Sequence, residues 1–301
     1  MNGTLRRTRV QRAQPWLGTL VEIAAEGPSP TKVNEAIKRA FARVAAIHAA
    51  MSFHDAGSEL SRVNRHAARD WVALSDDLAR VFGAALDFAA ASDGLFDPSV
   101  APWLVETGHL PRHPDMPADA TPGWRAVELD GDRVRFARPL LVDFGGIAKG
   151  YAVDEALAVL RDAGMASARV NAGGDLARFG GSPEPIRVRH PSQPTLSLHL
   201  ADLQNGAVAT SAGYYQAEAA ASPLRHPHTG GELCRTLSVS VLAPTCLAAD
   251  ALTKVVAADP LCASALLGRH GAQAILIDPS SPAITICDGD GRRTLPHEAT
   301  A

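Results

Sequence analysis

The stretch that most constrains this chain is "VDFGGIAKGYAVDEAL", residues 142–157. The apolar "PLLVDF" reads as a short strand, and Gly145-Gly146 break it. From Ile147 to Ala163 the period is helical, with Val153, Leu157 and Leu160 on one face and Gly164 as the stop. A strand that turns through Gly-Gly into a helix gathers free N–H groups and a positive dipole end at one point, with Lys149 adding a cation. The turn is therefore either an anion site or a close-packing device. Walker A fails by register, because Tyr151 stands where the lysine must follow Gly150. No G-x-G-x-x-G run follows a strand here either.

Around this unit, strand and helix signals mix without strict alternation. "TLVEIA" (19–24) is a strand signal, and residues 31–51 carry Ile37, Phe41, Val44, His48 and Met51 at helical spacing. A second helix starts at Ser75, a good N-cap, and runs through Leu78, Phe82 and Leu86. Asp130-Gly131 sits between alternating runs as a hairpin turn. "SARVNAGGDLARFG" repeats the strand-then-glycine design. Further strands are expected at 186–190, 195–200, 207–210 and 236–242, a helix at 245–258, and a last strand pair at 272–278 and 283–287. Residues 105–123, rich in Pro and His, are the expected long loop. The class is α+β in one unit spanning 1–301, with flexible ends at 1–12 and 290–301.

Composition excludes several classes. With 46% apolar and 20% charged residues the chain can bury a core, and a net charge of −3 provides no general field for nucleic acid. Arg6, Arg7, Arg9 and Arg12 are not followed by the apolar region of a signal peptide, and no apolar run reaches membrane-spanning length. The four cysteines form no CxxC pair, which fits reduced thiols. The expectation is a cytoplasmic protein with no nucleic-acid partner and no membrane insertion.

Seven stretches occur in order: "RAQPWLGTLVEI", "MSFHDAGSELSRVNR", "DGLFDPSVAPWL", "VDFGGIAKGYAVDEAL", "VNAGGDLARFG", "AVATSAGYY" and "ADALTKVV". Together, over roughly residues 12–260, they make the chain similar to the ApbE-type FAD:protein FMN transferases. The resemblance implies an ApbE-like (T-fold-like) arrangement of mixed sheets with packed helices and an FAD site in a cleft. It implies cleavage of FAD at its pyrophosphate and transfer of FMN, through a phosphoester, to a Thr or Ser of a target flavoprotein, with Mg²⁺ present and AMP released. A divalent ion suits the phosphoryl oxygens, and a general base takes the acceptor's proton. By the same resemblance Gly146 and Lys149 contact the nucleotide, and the Ala148 carbonyl and the Asp250 carboxylate hold the metal. Leu17 lies against the flavin in place of a methionine. Ser58, Glu59 and Asn64 stand at the mouth, although Ser58 equally suits a helix N-cap. Asp97 and Asp143 join the site, Asp97 alternatively as a turn former. Gly174 and Asp175 approach the cofactor, and Thr210 and Ser211 offer small hydroxyls to it. Asp154 is a ligand or a solvated helix residue.

Two departures fall on the chemistry. "PLRHPHTG" (223–230) puts Pro223 where the family places a histidine, leaving His226, with His228 beside it, as the base or as loop histidines. Lys254 stands one helical turn after Asp250, where the family has a threonine, and Thr253 comes one residue early. Lys254 either pairs with Asp250 or takes the metal's place as a point charge on the pyrophosphate. FAD hydrolysis to FMN and AMP, and FAD holding without catalysis, stand as the alternative functions.

Overall fold

The computed structural model describes residues 7–193, 195–212, 224–233, 237–279, 281 and 283–296. The chain opens on a hairpin, β1 (Thr8–Trp16) and β2 (Thr19–Gly27), turned by Leu17 and Gly18, both at positive φ. Helix α1 (Pro30–Met51) follows, capped by Ser29 and burying Ile37, Phe41, Val44 and Met51, the stripe expected from its spacing. Then come α2 (Glu59–His66), the short β3 (Val72–Ala73) and α3 (Asp76–Ala91), whose N-cap is Ser75 as the sequence indicates. A short α4 (Ala101–Glu106) precedes the long loop, and β4 (Val127–Asp130) and β5 (Arg133–Phe136) form the Asp-Gly hairpin.

Helix α5 (Ala148–Asp162) ends at Gly164, whose φ is +73°. Next are β6 (Ser167–Ala172), β7 (Asp175–Phe179), β8 (Glu184–Arg189), β9 (Ser197–Leu203), β10 (Gly206–Ala212) and β11 (Ser238–Ala243). Helix α6 (Cys246–Ala258), the short α7 (Ser264–Arg269), β12 (Gln273–Ile277), β13 (Ala283–Asp288) and β14 (Gly291–Pro296) complete it. Nine strands form one antiparallel sheet in the order β1-β2-β6-β7-β10-β11-β12-β13-β14. Its inner face carries Ile23, Val170 and Ala177 in register across three strands, and Val241 beyond β10. Helices α1, α5 and α6 cover that face, burying Phe41, Val44, Val153, Leu157 and Leu160 against one half and Leu252 and Val255 against the other. The class is α+β, as expected.

Two expectations change. "PLLVDF" is not a strand: Asn64 accepts from the Val142 N–H at 2.8 Å and donates to its carbonyl at 2.9 Å, and the Asp143 N–H donates to the Pro98 carbonyl at 2.9 Å. "SARVNAGGDLARFG", strand then glycine as expected, folds back as the β6–β7 hairpin. Residues 8–12 and 291–296, expected to be flexible, lie in β1 and β14, because edge strands can be built from polar residues that leave no apolar signal.

Candidate functional site

The Gly145-Gly146 turn delivers α5 so that its first residues, Ala148 and Lys149, face β7 and α6. The helix has no side-chain N-cap, which leaves its first N–H groups to the turn and to neighbours. One neighbour is Asp250: its Oδ2 accepts from the Gly150 N–H at 3.1 Å. That contact requires a very close approach of α5 to α6, and a β-carbon on Gly150 would sit 2.3 Å from the Cys246 carbonyl oxygen.

Four charges meet there. The Lys149 ammonium lies 2.5 Å from Asp175 Oδ2 and 3.3 Å from Asp250 Oδ2, and Lys254 Nζ pairs with Asp250 Oδ1. Asp250 is fully buried and Asp175 is 4% exposed, while Lys149 and Lys254 keep 30% and 19% of their side chains accessible. Two ammonium groups thus balance two carboxylates. Burial opposes the charge on Lys149, Asp250 and Asp175, and the partners outweigh it at the first two. The two carboxylates hold Lys149 above the usual lysine range, and the two lysines hold Asp250 below the carboxylate range. Asp175 is pushed up by burial and then by the like charge of Asp250.

The cluster forms one side of a cleft of about 390 Å³, within the usual size of small-molecule sites. Its polar lining includes Asp143, Lys149, Ser211, Arg225 and Lys254, and its apolar wall includes Leu95, Phe96, Val100 and Leu110. A second hollow of about 820 Å³, with Trp103, Trp124 and Arg138, shares Asp97 and Pro227 with the first. The pair forms an extended groove.

Of the residues singled out in the sequence, Asp97, Asp143, Gly146, Lys149, Ser211 and Lys254 line the cleft. Asp250 and Asp175 reach it through the lysines. Burial pushes Asp143 up, against the Gly145 N–H that it accepts at 2.9 Å. Asp97 also serves as the turn former, holding the Ser99 N–H and hydroxyl at 2.7 and 2.6 Å. Others stand apart in supporting roles. Ser58 caps α2 by accepting from the Ser61 N–H at 3.0 Å, Glu59 holds both the N–H and hydroxyl of Ser75 at 2.7 Å, and Asn64 pins Val142. Leu17 packs on the core, and its turn abuts Gly173 through Thr19, while Gly174 donates to Asn171 at 3.1 Å. Asp154 is neither ligand nor solvated: its carboxylate caps α6, accepting from Cys246 and Leu247 at 2.8 and 2.9 Å. His226 does not line the cleft. Its Nδ1 accepts from the His228 N–H at 3.2 Å, and His228 Nε2 meets the Asp93 carbonyl at 2.8 Å. Pro223 lies outside the described residues.

Two lining residues escaped the sequence reading. Arg225 Nε and His109 Nε2 are buried atoms with no hydrogen-bond partner among the described residues. Both sit in irregular segments, where no period marks them.

A divalent cation fits this donor set poorly. Asp250 Oδ1 is taken by Lys254, and Oδ2 by Lys149 and the Gly150 N–H. Thr253 is turned away from a ligand role, donating to the Asp250 carbonyl and meeting the Ser211 hydroxyl, each at 2.7 Å. Among the described residues no group of three His, Cys, Asp or Glu side chains gathers to hold a metal.

An uncapped helix start at a Gly-Gly turn, beside two lysines in a cleft of a mixed α and β fold, is an arrangement that favours an anion. The ApbE family model matches residues 17–276, and the chain belongs to that family. It is 30% identical over 222 residues to an FAD:protein FMN transferase of Vibrio cholerae, covering 67% of this chain and 66% of the relative. It is 28% identical over 258 residues to an FAD:protein FMN transferase of Rhodobacter capsulatus, 78% of this chain and 48% of that one. The crystal structure of the ApbE protein of Thermotoga maritima superposes with a TM-score of 0.76 at 25% identity, over 97% of each chain. The flavin transferase ApbE of Vibrio cholerae shares the fold, with a TM-score of 0.79 at 23% identity over 98% of each chain. Among the described residues no helix is long and apolar enough to cross a membrane.

Proposed function

We propose that the chain is an FAD:protein FMN transferase. It takes FAD into the cleft, moves the FMN moiety through a phosphoester to a Thr or Ser of a target flavoprotein, and releases AMP. The observation that carries the reading is the paired lysines and Arg225 beside the glycine turn, in a cleft that adjoins a second hollow through Asp97 and Pro227. The names of the relatives agree with it. In the step, the acceptor hydroxyl oxygen attacks the FMN-side phosphorus, the P–O bond to AMP breaks, and its electron pair leaves on AMP. The hydroxyl proton passes to a base. His226 is the sequence candidate for that base, and His109, which lines the cleft, is a second candidate. Lys149 and Lys254 draw on the phosphoryl oxygens and spread the charge that develops there. The Mg²⁺ that the resemblance implies finds Asp250 already paired, and no step here passes through it.

Incubating the protein with FAD and a candidate flavoprotein, then weighing that partner by mass spectrometry, tests the reading. A gain equal to one FMN supports it. FMN and AMP released free, with the partner unchanged, would show hydrolysis instead. Intact FAD would refute catalysis altogether.

A further inference from the structure

We propose that Lys254 is the resident cation of this pyrophosphate site, so that FAD binds without a divalent ion. The inference rests on the FAD reading above and adds to it how the ligand's charge is met.

The pairing is fixed by the helix. Lys254 follows Asp250 by four residues on α6, one turn along the same face, so the backbone itself brings the ammonium over the carboxylate. Asp250 is fully buried, and both of its oxygens have donors. An ion of charge +2 entering here would add to two ammonium groups already facing two carboxylates, and would have to displace at least one of them. The neighbouring hydroxyl, Thr253, is consumed by the Asp250 carbonyl and Ser211 and is not free as a further hard ligand. Hard divalent ions need several oxygens at close, regular distances, and this arrangement has given three of its four carboxylate oxygens to nitrogen donors.

Lys254 also faces the ligand. Its side chain lines the cleft, and a β-carbon added to Gly146 would lie 3.4 Å from its Cε, so its stem passes over the glycine turn. An ammonium has three N–H donors; Asp250 takes one and two remain for phosphoryl oxygens. Lys149, shared between Asp175 and Asp250, has one left. Before the ligand arrives the cluster is neutral, and when the pyrophosphate arrives the lysines turn toward it without any ion having to be recruited.

The test is FAD binding by the full chain, followed by flavin fluorescence, with Mg²⁺ and with EDTA, together with Mn²⁺ electron paramagnetic resonance in the presence of FAD. In the wild type, affinity should differ by less than about twofold between the two conditions, and no bound-Mn²⁺ spectrum should appear. Lys254→Thr should lose on the order of tenfold in EDTA, recover with Mg²⁺, and show bound Mn²⁺. Lys254→Arg, which keeps the charge, should stay indifferent to Mg²⁺. A tenfold gain with Mg²⁺ in the wild type, or Mn²⁺ bound to it, overturns the inference and leaves the FAD reading intact. EDTA-insensitive, unweakened binding by Lys254→Thr overturns it as well. Failure of the wild type to bind FAD under both conditions overturns the inference together with the proposed function. The wild-type measurements decide the matter even if Lys254→Thr does not fold.

Discussion

Gly146 in the turn and Gly150 in the first turn of α5 do different jobs. A β-carbon at Gly150 would lie 2.3 Å from the Cys246 carbonyl oxygen, a backbone atom that cannot move without separating α5 from α6. We expect Gly150→Ala to lower stability by about 2–3 kcal/mol, through overpacking and through strain on the Gly150–Asp250 contact. At Gly146 the nearest atoms would be Lys254 Cε and Phe96 Cε2, both at 3.4 Å and both side chain, so Gly146→Ala should fold with a melting temperature close to that of the wild type. The added methyl group nevertheless occupies the cleft floor, and FAD affinity should fall by about tenfold. Calorimetric melting and flavin titration of the two variants would check both outcomes; a Gly150→Ala protein as stable as wild type would refute the packing argument. At this scale Lys149, Asp250 and Lys254 were legible because turn chemistry and helical spacing mark them. Asp175 was expected to approach the cofactor but not to form an ion pair, since its partner lies 26 residues away. Arg225 and His109 carried no signal at all.

Among the elements, the start of α6 is held by its own N-cap, Thr245, and by one side chain from another helix. Asp154 of α5 caps its first N–H groups, and burial pushes this carboxyl up to about 6 despite those two donors. Unfolded, an aspartate titrates near 4. Between about pH 4 and pH 6 the folded chain therefore binds the extra proton, and this group's contribution to stability falls as pH rises through that window, then levels off. The change should be roughly 1–3 kcal/mol. Melting wild type and Asp154→Asn between pH 4 and pH 7 isolates it: the wild type should lose ground relative to the variant as pH rises. A difference that stays flat would mean that the carboxyl titrates normally. A second tie, Arg43 of α1 on Asp77 of α3 and Glu155 of α5, fixes the three helices mutually, with Tyr151 donating to Asp77 at 2.6 Å. Arg43→Met would leave two half-buried carboxylates unpaired and should cost about 1–3 kcal/mol, measurable by denaturant unfolding. Helices α1, α3 and α5 were readable from their periods because each buries one stripe, whereas α6 is buried on most of its surface and has no such stripe. "PLLVDF" misled because an apolar extended run looks alike whether a strand or the Asn64 side chain satisfies its backbone.

For the whole molecule, the sheet order was beyond local pattern reading, since nothing in a strand's period says which strand it pairs with. The ordered resemblance over roughly residues 12–260 supplied what periodicity lacks. The cleft draws on residues from 95 to 254, so a ligand there bridges distant parts of the chain. FAD at about a hundred times its dissociation constant should add about 2.7 kcal/mol to global stability, seen as one shifted melting transition, and riboflavin at the same concentration should add less. The four-charge cluster also has a consequence for biosynthesis. Lys149 and Asp175 leave the ribosome close together, whereas Asp250 follows Asp175 by 75 residues, roughly 4–15 s at ordinary elongation rates. Asp250 then arrives with Lys254 one helical turn behind it. Each half of the cluster is already neutral when the other appears, so α6 docks onto a nascent sheet without a solitary ion being driven out of water.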